Sequence, residues 1–166
     1  VVLAYFVGAG LPAPQVSKLV AFDTITSLIS ASSPSLTQNI VSVSVDSILC
    51  RAYRGIRIVD SFAWARLNER GESVNEQVYW PEIPPDTLQA VASFQNMLAD
   101  PQRRNAYIAR LPAGAETGEL VVHHTSGGEA DFKAAPYFDV NFSGAMVHFD
   151  ANGSAHVLPA PDGACP

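Results

Sequence analysis

The chain has 166 residues, 48% hydrophobic and 16% charged, with a formal net charge of -6 at pH 7. A charged share below the usual ~25% and enough apolar residues for a core exclude a disordered chain and point to one globular domain over residues 1–166. A net acidic chain without a basic stripe is not built to neutralise a phosphate backbone, so nucleic acid is excluded as a partner, and no apolar run approaches the roughly 18 residues of a membrane span.

In chain order, the first segment, Val1 to Gly8, is apolar and of strand length. Residues 1 to 14 have the apolar character of a secretory-signal tail, but no basic region precedes them, so they are read as part of the fold. Because the chain begins at Val1 without Met, it is read as a processed product, an excised domain or an incomplete chain. Leu11-Pro12-Ala13-Pro14 breaks the segment. Val16, Leu19, Val20, Ile25, Leu28 and Ile29 then recur near helical spacing, which predicts an N-terminal helix ending before Ser32-Ser33-Pro34. Thr24, Ile25 and Thr26 oppose it, since β-branched side chains lose freedom in a helix.

From Ile40 the pattern alternates, with Val41, Val43 and Val45 on one side and Ser42 and Ser44 on the other, which predicts a strand. Further strands are expected at 48 to 53, 56 to 59, 62 to 67 and 74 to 80, with Asn68 to Ser73 as a hairpin loop between the last two. Trp64, Tyr79 and Trp80 lie on that hairpin and are read as packing residues. Pro85-Asp86-Thr87 opens a helix with Leu88, Val91, Phe94 or Gln95, and Leu98 on one face. Asp100-Pro101 caps a second short helix that buries Tyr107, Ile108 and Leu111. Arg103-Arg104 on that helix is read as a solvated pair. Strands resume at 119 to 124, 137 to 142, 145 to 150 and 154 to 158. The fold class is therefore α+β, mainly antiparallel strands and hairpins with an N-terminal helix and a central pair of short helices.

The four histidines, His123, His124, His148 and His156, all fall in the last third. Around Ala151-Asn152-Gly153, a three-residue loop with a left-handed Gly153 sorts the faces best. It sets His148 opposite His156, Phe149 opposite Ala155 and Asp150 opposite Ser154. His148, Asp150 and His156 then share a face and become candidate ligands for a divalent metal. With His124 from another strand they become candidate acid/base groups. The metal is not favoured, because histidines on a hairpin face are also ordinary surface residues. His123 to Glu129 is read as a strand end and polar turn, since no phosphate-loop lysine follows its glycines. The chain carries no nucleophile elbow, zincin helix, Cys-x-x-Cys pair or dinucleotide fingerprint.

Cys50 and Cys165 fit neither a metal spacing nor a disulfide framework; they either pair or stand as one buried thiol and one tail thiol. Nothing assigns a compartment. The first forty-five residues carry only Lys18 and Asp23 as charges, and Lys133 is the only other lysine. Depletion of charge marks interface cores. The expected function is therefore a non-catalytic structural or interaction domain of a coat- or capsid-like assembly, with protein subunits as partners and a homo-oligomer as the form. The alternative is a small α+β enzyme or ligand-binding domain using the histidine and carboxylate cluster of the C-terminal hairpin.

Overall fold

The computed structural model describes residues 2–29, 38–126, 133–158 and Cys165. The expected break at Ser32-Ser33-Pro34 and the turn at Gly127 to Glu129 lie outside the described residues. Within them the chain is α+β, dominated by one mostly antiparallel sheet of eight strands.

The N-terminus corrects the sequence reading. Val2–Gly8, an apolar run of strand length, is a helix, α1. It ends in a Schellman turn, where Gly10 is left-handed with φ of 105°, its N–H donates to the Val7 carbonyl and the Leu11 N–H donates to that of Phe6. Phe6 and Leu11 then share a core cluster with Leu49, Ala63 and Ala65. The N-terminal helix expected from Val16 to Ile29 is instead strand β1, Val16–Ile29. Six β-branched residues, Val16, Val20, Thr24, Ile25, Thr26 and Ile29, outweigh a spacing of apolar residues that only approximates a helical face.

β1 pairs antiparallel with β2, Gln38–Tyr53, and β2 with β3, Ile56–Leu67. β3 then divides its partners. Phe62 to Leu67 pairs with β4, Ser73–Tyr79, whereas Arg57 and Ile58 pair in parallel with β5, Glu119–Ser126. Parallel strands need a crossover. Here it contains helices α2, Pro85–Ala99, and α3, Pro101–Ile108. The Asp100 carboxylate accepts from the N–H groups of Gln102 and Arg103 to start α3. α2 buries Thr87, Val91 and Phe94, and the Thr87 hydroxyl donates to the Ala134 carbonyl at 2.8 Å. The sheet continues through β6, Lys133–Phe142, β7, Ala145–Phe149, and β8, Ala155–His156, all antiparallel.

Where β3 changes partner, the register between β2 and β3 slips between Cys50 and Arg51. Arg51, 3% exposed, fills this irregularity. Its Nε donates to Gln15 at 2.8 Å and its Nη1 to Ser61 at 3.2 Å and the Pro81 carbonyl at 2.6 Å, while its guanidinium lies over Trp80. Burial pulls the guanidinium down to about 10, still far above neutrality, so the group stays charged. Arg51→Ala removes a buried donor from three acceptors, of which Gln15 keeps the Trp80 indole N–H and Ser61 its bond to the Tyr79 carbonyl, and is expected to cost about 3 kcal/mol, read from the urea midpoint. Arg51→Lys should recover less than half of that, because an ammonium has no planar fork to span those partners. A lysine variant as stable as the parent would show that the fork is not what holds this junction.

Cys50, in β2, is bonded to Cys165, 115 positions further along the sequence, with Cα atoms 5.6 Å apart. The pairing left open by the sequence is therefore a disulfide.

Candidate functional site

A strand alternates its side chains between two faces. On the last four strands, Phe138, Val140 and Phe149 pack against Phe94 and Tyr107 of the helices. Their neighbours Asp139 and His148 therefore point to the opposite face, and His123 does the same beside Val122, which packs against Val91. Asp139 and His148 are directly opposite across the β6–β7 ladder.

These three side chains converge. The Asp139 carboxylate accepts from His123 Nε2 at 2.7 Å through Oδ2 and from His148 Nδ1 at 2.8 Å through Oδ1. The imidazoles meet edge to face with centroids 4.5 Å apart, and Tyr137 closes against both. All three residues are buried, with the Asp139 side chain only 2% exposed. Burial pushes the Tyr137 phenol above its ordinary value.

The register expected for the final hairpin is present. His148 pairs with His156 and Phe149 with Ala155, the Asp150 N–H donates to the Ser154 carbonyl, and Gly153 is left-handed at φ of 84°. Asp150 and His156 form a second, more exposed pair at 3.0 Å. Asp150 Oδ1 also accepts from the N–H groups of Asn152 and Ser154. Burial pushes this carboxyl up, but the hydrogen bonds from His156, Ser154 and Asn152 outweigh it and hold it below the usual value. The Tyr137 ring contacts His156 too, so it stands between the two pairs. A cleft of about 210 Å³ opens beside them, lined by Met146, His148, Ala155, His156, Val157 and Leu158 among others.

Of the four residues picked from sequence, His148, Asp150 and His156 gather here, and His124 does not. It follows His123 in the strand, so it points to the other face and packs near Tyr79. The sequence reading missed His123 and Asp139. A signal for Asp139 was available: Ser143-Gly144 separates two strand patterns and takes positive φ at both positions, as a two-residue hairpin turn requires. That turn pairs Phe142 with Ala145 and so sets Asp139 against His148.

The chain matches no protein-family model, and no curated protein and no solved structure matches it.

Proposed function

We propose that the chain is a non-catalytic interaction domain of a multi-subunit, coat-like assembly, and that it pairs with a second copy of itself along β1. The observation carrying this reading is the open edge of that strand. Over its 14 residues β1 pairs with β2 and with no other described strand. From 38 to 44, β2 in turn has β1 as its sole described partner, so the two continue as a ribbon beyond β3. A two-stranded ribbon is marginal in water by itself, and a long, weakly charged edge is a template for another strand.

A copy of the same chain fits such an edge, because a two-fold axis makes one strand complementary to itself, and Lys18 and Asp23 are the sole charges before Asp46, so little repulsion opposes the approach of two copies. Growth beyond a dimer needs a second surface. Leu3, Tyr5 and Val7 on α1 and Val74 and Val78 on β4 are exposed. The Tyr5 hydroxyl donates to Glu76, which lies between the two valines, so Tyr5, Val74 and Val78 form one apolar area of the kind other chains cover, while Leu3 and Val7 lie about half a turn around α1 from it.

The alternative, a pocket enzyme at the histidine cluster, is supported by the cleft beside His148 and His156. At about 210 Å³ that cleft is below the ~300–1,000 Å³ usual for ligand pockets. An added edge charge tests the assembly reading. Leu19→Lys, at a position 51% exposed on β1, sets a second cation beside Lys18 in each copy and is expected to weaken association at least about tenfold in sedimentation equilibrium. Association unchanged in this variant would rule out pairing along β1.

A further inference from the structure

We infer that His123, Asp139 and His148 form a binding site for a divalent transition metal of the zinc class, independent of the β1 contact. The three ligand atoms, His123 Nε2, one Asp139 oxygen and His148 Nδ1, come from three adjacent strands and lie within 4.8 Å of one another.

The case rests first on charge. The Asp139 side chain is 2% exposed, and among the described residues both of its ion-pair partners are imidazoles, with no Arg or Lys reaching it. A buried carboxylate whose partners are two imidazoles sets three donor groups together with no fixed cation among them, and buried carboxylates are paired or coordinate metals. A divalent cation at the meeting point of the three groups supplies a fixed positive charge and is ligated by all of them.

Geometry agrees. Ligands about 2.0–2.2 Å from a tetrahedral zinc lie roughly 3.3–3.5 Å apart, so the contacts at 2.7 and 2.8 Å need to widen by less than about 1 Å. The sheet fixes the approach, since Asp139 and His148 are ladder partners. Two imidazoles and one carboxylate suit zinc, cobalt, nickel or iron(II) rather than calcium or magnesium, which prefer all-oxygen shells. Three protein ligands leave a fourth position for water or another donor. The second pair, His156 and Asp150, binds itself and stands outside this set.

The test uses the tag-free, disulfide-intact chain. Zinc is titrated by calorimetry, and cobalt(II) is followed by its visible absorption. The wild type is expected to show one saturable site, His148→Gln to bind at least about tenfold more weakly, and His156→Gln to bind as the wild type does. Should His148→Gln fail to melt cooperatively, the ¹⁵N shifts of the wild-type histidine rings decide. Zinc should move His123 Nε2 and His148 Nδ1 together and leave His156 in place. No saturable binding, binding unchanged in His148→Gln, or shifts confined to His156 would each overturn the site.

Discussion

Removing the Cys50–Cys165 bond is expected to lower stability by about 3–5 kcal/mol, among the largest effects of any change to this chain. Both sulfur-bearing residues are buried, so reduction or a Cys50→Ala/Cys165→Ala double variant leaves most native contacts in place. The effect falls on the unfolded chain instead. The bond joins residues 115 positions apart, enclosing everything from β3 to β8, and a loop of that length restricts the unfolded ensemble strongly. For a domain of this size the melting temperature should drop by roughly 10 °C. Urea denaturation with and without reductant reads the difference, and alkylation of the unreduced, denatured chain reads the bond. Two freely alkylated thiols, or identical midpoints in both conditions, would show that the bond does not staple the fold. A bond of this kind persists in oxidising compartments.

Tyr107→Ala is expected to cost a further about 3–5 kcal/mol, through packing rather than chain entropy. Tyr107 is 1% exposed and meets Phe94 and Phe138 edge to face at 5.4 and 5.6 Å, so its ring joins α2 and α3 to the sheet. Its hydroxyl donates to the Asp150 carbonyl at 2.8 Å, anchoring the loop that carries the Asp150–His156 pair. Tyr107→Phe keeps the ring and loses only that bond, and should cost about 1 kcal/mol. Equal losses in the two variants would mean that the hydroxyl, not the ring, carries the energy.

The strands and hairpins were legible because their signals are local. Asn68 to Ser73 joins β3 to β4 with Gly71 left-handed, and the Asn68 side chain brackets the turn by accepting from the Arg70 and Glu72 N–H groups. Gly153 fixed the last register in the same way. The N-terminus misled because short apolar runs fit either period. Gly10 followed by Leu11 marks a helix end, and β-branching marks β1, but apolar spacing alone weighs neither.

The candidate site was half legible. A hairpin register shows which residues of two neighbouring strands share a face, and that recovered His148, Asp150 and His156. It does not show which neighbouring strand completes the cluster. β5 and β6 follow one another in sequence, but six residues separate them, too many to dictate a register as a two-residue turn does, so choosing between His123 and His124 required the β5–β6 ladder, in which they pair with Ala135 and Ala134. Burial was equally out of reach. The polar face of a terminal hairpin reads as solvent-exposed, yet His148 and Asp139 are buried while His156 is not. The disulfide was invisible for a related reason, since a single pair of distant cysteines has no spacing to interpret.

The proposed self-association along β1 is tested most directly by the solution mass of the unmodified chain, measured by light scattering across a wide concentration range. A mass of twice the chain or a larger multiple, falling toward the monomer on dilution, is the predicted result. A monomer at every concentration would contradict it.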